Sequence, residues 1–380
     1  MEDIGLFEEL KVPKDVVPYV AIQDLVSNLD EGNVDATYSR ILHYQSLMQD
    51  DFKRFISSEI ARVPYIRTFS VEAVFKLCIL MLNDTSYHEL ILNETIFHSP
   101  AVLYRLYQHG SFKFAEIKNK FDYYRSYCRT ILFFFREIPN IKNYIEYFEE
   151  FYLYNDPIQA LNKNPSALPD LIKYGWETSS IGYILKYDQE SELQQLMKNP
   201  TIKIDKLLKW SCFENAKQPS NVNSLSLAAY FGSTRCFKSL ILAYPDSTCD
   251  LTDAVFGGSL EIIHMVFSSS VLSPKHLYTA SYVRKDDVLL WIMQNCGETT
   301  LNPAEFMKTN NIKSLFRALN SGSDINMRTA ATPSSSPHTG LNAAIHYAAE
   351  FGYIYLVNYL LDKGLDINSR NSAFRLLFIK

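Results

Sequence analysis

Small, apolar and turn-forming residues recur at fixed spacing along the second half of this chain. Ala228-Ala229, Ala254-Val255 and Ala348-Ala349 each stand four and three residues before a glycine, Gly232, Gly258 and Gly352. In steps of 26 residues, positions 228, 254, 280 and 306 read Ala, Ala, Ala and Phe, and the glycine slot reads Gly232, Gly258, Arg284 and Asn310. Eight and nine residues past each small residue come Cys236-Phe237, Ile262-Ile263, Val288-Leu289, Ser314-Leu315 and Leu356-Val357. Four further on come Leu240-Ile241, Val266-Phe267, Ile292-Met293, Ala318-Leu319 and Leu360-Leu361.

This register predicts a helix–turn–helix unit. Two adjacent small residues on the first helix let neighbouring units approach closely. The slot ends that helix with a residue that tolerates positive φ, best a glycine and next an asparagine. Apolar pairs at i, i+1, i+4 and i+5 then keep one stripe on one face of the second helix. No such unit buries its stripe alone, so the units must stack.

These residues resemble the ankyrin repeat. AIHYAAEFGYIYLVNYLLDKGLDIN (344–368) is similar to that family's pattern TPLHxAAxxGxxxxVxxLLxxGADVN, and GSDINMRT (322–329) resembles the GADVN turn of the preceding repeat. AAYFGSTRCFKSL and GGSLEIIHMVF resemble the degenerate ankyrin-like families expanded in parasitic protists. YILKYDQESELQQLM (183–197) fits as an earlier member, with Asp188 in the glycine slot. Together they imply an all-α chain in which a helical amino-terminal domain precedes an ankyrin-like α-solenoid of five to six repeats. Ala228, Gly232, Ala254, Gly258, Ala280, His346, Ala348, Gly352 and Gly364 are its structural repeat positions.

The interval departs from a normal repeat of about 33 residues, so the central units are expected to have short connecting turns. The surplus between Asn310 and Gly352 falls in TAATPSSSPH (329–338), which reads as an enlarged tip. The sequence stops without a polar closing repeat, which suggests self-association through an uncapped last unit.

Residues 1–155 read as aromatic-rich helices, with Ser99-Pro100 and Asp156-Pro157 as N-cap-plus-proline starts. Only three of the 13 glycines precede residue 175, and three prolines fall within 157–169. The expected division is therefore 1–155 helical domain, 156–179 linker, 180–370 repeat array and 371–380 tail.

Composition narrows the function. A net charge of −5 and a pI near 5.9 give no basic footprint for nucleic acid. VFKLCILML and TILFFF are too short to span a bilayer. Six scattered cysteines and an acidic start suggest a reduced, cytoplasmic setting, in which the sequons at Asn83 and Asn93 go unused.

Catalytic signatures are missing. HELIL (88–92) lacks the second histidine of a zinc-binding HExxH, and His98 and His109 have no metal spacing. There is no GxxxxGK[ST], GxGxxG or GxSxG. Cys236 falls on the apolar stripe, and the resemblance gives His346 a structural place in the TPLH turn, although the threonine and proline of that motif are replaced by Ala343 and Ala344. No cofactor and no metal site is expected.

Ankyrin-like arrays hold protein ligands on turn tips and on the exposed end of the first helix. The positions before the slot supply Tyr230, Phe231, Phe256, Tyr282, Glu350 and Phe351, with Arg284 in a slot itself, as candidate partner-binding residues. The expected function is a non-enzymatic interaction scaffold or adaptor that binds a protein partner. A ubiquitin-ligase substrate adaptor and, last, an enzyme with its site in the helical half are the alternatives, although VPKDVVPYVAIQDLVSNLD (12–30) lacks an F-box signature.

Overall fold

The computed structural model describes residues 9–48, 52–67, 69–123, 128–138, 141, 151–199, 208–216, 223–268, 271–296, 301–329 and 342–365. Among them the architecture is all-α, with one isolated antiparallel bridge between Arg328 and Ala343.

Six hairpins of paired helices carry the repeat. They are Ile181–Lys186 with Glu190–Met197, Ser224–Phe231 with Thr234–Ala243, Leu251–Gly257 with Leu260–Phe267, Pro274–Tyr282 with Asp286–Asn295, Pro303–Lys308 with Ile312–Asn320, and Ala344–Glu350 with Ile354–Asp362. Short polar residues start several of these helices. Asn223 accepts from the Ser226 amide at 2.7 Å, Asp250 from Thr252 at 2.8 Å, and Asn311 from Ser314 at 2.9 Å.

Every slot residue lies in the left-handed region. The φ values are 51° at Asp188, 71° at Gly232, 75° at Gly258, 53° at Arg284, 57° at Asn310 and 76° at Gly352. Three of the six therefore carry a Cβ at a conformation that costs a non-glycine residue about 1–2 kcal/mol. Ala228, Ala254, Ala280 and Ala348 occupy matching places and are fully buried. The close approach is most severe between the second and third hairpins. A Cβ built on Gly257 would stand 2.0 Å from the Ala229 carbonyl oxygen.

The chain forms two compact units. The terminal unit comprises Met1–Asn28, Arg40–Phe55 and Leu272–Lys380, and the central unit comprises Leu29–Ser39 and Ile56–Val271. Hairpins one to three belong to the central unit and hairpins four to six to the terminal unit. Both units therefore draw on the amino-terminal helical stretch, whose described helices include Val17–Ser27, Val71–Met81, His88–His98 and Pro100–Gln108.

The helix starts differ in detail from the N-cap reading. Pro100 does open a helix, but the Ser99 hydroxyl donates to the Ala61 carbonyl and leaves the helix end uncapped by its side chain. Asp156-Pro157 is no helix start, because Pro157 lies inside Phe151–Lys163. The enlarged tip lies outside the described residues beyond Thr329, as do the last residues 366–380. The bases of the tip are tied together. The Thr329 amide donates to the Asn342 carbonyl at 3.0 Å, next to the Arg328–Ala343 bridge.

Candidate protein-interaction surface

In the central unit the first hairpin sits over a buried ion pair. Lys186 ends its first helix, and its ammonium meets Glu214 Oε2 at 2.7 Å, with side chains only 4% and 1% exposed. Trp176 Nε1 donates to the same carboxylate oxygen at 3.0 Å, and Lys186 Nζ donates to the Tyr174 carbonyl at 2.9 Å. Burying two charges is costly, and only such added hydrogen bonds make the geometry tolerable. Gly182 permits it sterically, because a Cβ there would stand 2.0 Å from the Trp176 ring.

Above this base four rings converge from three segments. Tyr187 packs against Tyr183 at 4.6 Å, Phe69 at 5.6 Å and Tyr174 at 5.9 Å between centroids, and Tyr174 meets Tyr183 at 5.3 Å. Phe69 is 55% and Tyr187 37% exposed, with Tyr174 and Tyr183 half-buried. Lys173 lies 4.8 Å over the Tyr174 ring. Singly exposed apolar residues are ordinary, but contiguous ones beside a cation have the composition of interface anchors.

The next turns continue the row with polar ties. The Asp188 carboxylate accepts from the Cys236 amide at 2.8 Å and from Arg235 Nε at 3.1 Å, so the first slot residue caps the second helix of the following hairpin. Tyr230 stacks on Phe256 at 4.3 Å and 11°, and Trp210 closes on Tyr230 at 5.6 Å.

The expected partner residues thus separate into two groups. Tyr230 and Phe231 are 2% and 7% exposed, and their rings pack inside the stack. That burial moves the expected contact surface away from both positions. Phe256, Tyr282, Arg284 and Phe351 are half-buried and Glu350 is exposed. Arg284 is turned into its own unit, donating to the Asn310 carbonyl at 3.0 Å and reaching the Ser27 hydroxyl at 3.4 Å. Phe351 packs against Tyr353 at 5.8 Å.

Tyr187 was legible by the same rule, since it immediately precedes the Asp188 slot. His276 was also within reach. Ser273-Pro274-Lys275-His276 follows the TPLH pattern, shifted by two residues from the register of the last unit. His276 Nδ1 accepts from the Ser273 amide at 3.0 Å, as His346 Nδ1 accepts from Ala343 at 3.1 Å. Each imidazole closes the first turn of its helix.

Burial pushes the thiols of Cys78, Cys212, Cys236 and Cys249 up to about 12, which keeps them protonated. Burial, with Arg62 adding to it, pushes the His98 imidazole down to about 4. An open cavity of about 550 Å³ is lined by Ile79, Leu82, Asn83, Thr85, His88, His109 and Ser111, a lining with no carboxylate or thiol to work with either imidazole. No group of three His, Cys, Asp or Glu stands ready for a metal among the described residues. No helix there is long and apolar enough to cross a membrane.

Residues 341–372, around the last hairpin, match the ankyrin repeat family. Among solved structures, the ankyrin repeat domain of human ASB11 is similar at 12% identity and a TM-score of 0.36, over 52% of this chain and 89% of that one. No curated protein matches.

Proposed function

We propose that this chain is a non-enzymatic interaction protein, a scaffold or adaptor that holds a protein partner on the exposed aromatic cluster of its first hairpin. The observation that carries this reading is the convergence of Phe69, Tyr174, Tyr183 and Tyr187 at the surface over a fixed polar base. A rigid platform of large rings loses little side-chain entropy on binding, and such anchors contribute about 2 kcal/mol or more each at an interface. The repeat fold supports the same class, because stacked helical hairpins present extended surfaces to protein ligands. Phe256, Tyr282, Glu350 and Phe351 remain secondary contacts in this proposal, and the free thiols support a cytoplasmic setting.

The test is affinity purification with the full chain and with a Phe69→Ser/Tyr187→Ser variant. Partners held by the wild type should be lost from the variant while its circular dichroism is unchanged. Retention of the same partners by a folded variant would defeat the proposal.

A further inference from the structure

Hairpins four to six already hold something on their turns. Helix Val17–Ser27 of the same chain lies along them, within the terminal unit, and touches equivalent places in successive repeats. The Gln23 carboxamide donates from Nε2 to the Asn310 carbonyl at 3.0 Å and accepts at Oε1 from the Ile312 amide at 3.1 Å. It pairs with the turn in both directions, as a strand of main chain would. The Tyr353 hydroxyl of the sixth hairpin donates to Asn310 Oδ1, and Gln23, Asn310 and Tyr353 are all buried. One residue on, Asp24 meets Lys313 at 2.9 Å, and one helical turn later Ser27 meets Arg284 of the fourth hairpin.

We infer that the turn row of hairpins four to six is a helix-binding surface, and that Val17–Ser27 is the ligand it holds in cis. Three features argue for a ligand. The contacts come from three successive repeats, as they do when a segment lies across an array. They are read at slot-linked positions, with Arg284 and Asn310 in the slots and Tyr353 just after one. The fifth hairpin also caps its second helix from within, since Asn311 accepts from the Ser314 amide and donates to the Ser281 carbonyl at 2.9 Å. Gln23 therefore reads the outer side of a turn whose inner side is already satisfied.

The chemistry of the occupant follows. It is an apolar helix bearing a carboxamide followed directly by a carboxylate, a pair that matches one carbonyl, one amide and the Lys313 ammonium. One turn earlier on the same face the helix is aromatic, with Tyr19 packing on Tyr353 at 5.2 Å as well as on Phe52 at 5.1 Å and on Phe55 at 4.9 Å. The chain's own helix keeps the row closed, so a second helix gains access only when the first is weakened.

The experiment uses the full chain with a Gln23→Ala/Asp24→Ala substitution and, as probe, a fluorescent peptide of residues 9–28. The variant should bind the peptide at least ten-fold more tightly than the wild type by anisotropy, and the same peptide carrying Gln23→Ala should lose that gain. Because the double variant can lose structure, Gln23→Glu is measured beside it. Its carboxylate keeps the shape but has no proton for the Asn310 carbonyl, and a smaller gain in the same direction is expected. Equal binding by wild type and both variants would overturn the inference. So would amide exchange in 303–320 at unfolded rates that saturating peptide fails to slow, because the helix would then be fixed core.

Discussion

The two stacks of three hairpins follow one repeat rule and are anchored in opposite ways. Hairpins one to three rest on charge, with Lys186 and Glu214 fully desolvated beneath an exposed aromatic cluster. Hairpins four to six hold a neutral carboxamide, Gln23, and share their charges among several partners, with the buried Lys313 between half-buried Asp24 and Asp286 at 2.9 and 2.6 Å. A buried ion pair tolerates no loss of either member, whereas a network shares its load among several groups. The contrast places brittleness in the central unit and redundancy in the terminal one.

The largest effect should come from breaking the buried pair. Glu214→Gln is expected to cost about 3–5 kcal/mol. Hydrogen exchange should show that loss in 181–243 while protection in 303–320 persists. Equal loosening of both regions would mean that the two units unfold together.

Aromatic substitutions sharpen the same contrast within one unit. Tyr230→Ala removes a fully packed ring and should cost about 3–5 kcal/mol in a urea melt. Tyr187→Ala, one repeat earlier at an exposed ring, should cost under about 1 kcal/mol yet abolish partner capture. Comparable melting losses at both positions would show that Tyr187 serves packing.

Gly257→Ala tests the close approach of hairpins two and three. Its Cβ meets a backbone carbonyl, which cannot yield as a flexible side chain would, so about 1–3 kcal/mol should be lost by the same melt.

The smallest effects concern pH, and their signs differ residue by residue. Burial opposes ionisation of Asp286, but Arg317 and Lys313 outweigh it and hold its carboxyl below the ordinary value of 3.8. Its contribution is present above that value and is lost as pH falls through the lowered one. Burial likewise opposes the charge on Lys313, yet Asp24 and Asp286 raise it above 10.5. Its contribution holds below 10.5 and is lost as pH rises through the raised value. Asp24 runs the other way, since burial raises its carboxyl despite Lys313. Its ionisation opposes the fold at neutral pH and is relieved on acidification. Asp24→Asn should therefore cost less at pH 7 than Asp286→Asn, a ranking that denaturant titration of the two variants checks directly.

How much of this was readable in the chain depends on the distance over which each feature acts. The slot residues were legible, including the non-glycine Asp188, Arg284 and Asn310, because a turn must be solved by the residues that form it. The small pairs were legible because adjacent repeats share a period. The pairing of residues 9–28 with the last three hairpins was not. PYVAIQDLVS reads as one more apolar helix, and nothing periodic connects Gln23 to Asn310, 287 positions away. Burial of Tyr230 was hidden for a similar reason, since Trp210, which covers it, lies outside the repeated register. The local rule names the ring and the tertiary neighbour decides which side it faces.

The bonded pair Thr329 and Asn342 has a consequence for how such a chain can change. Once two ends are fastened together, lengthening the chain that joins them is cheap in ring closure, since each doubling costs about 0.6 kcal/mol. Foreign peptide spliced between them should leave the flanking helices undisturbed, which makes this bracket a natural port for new sequence in an otherwise crowded molecule.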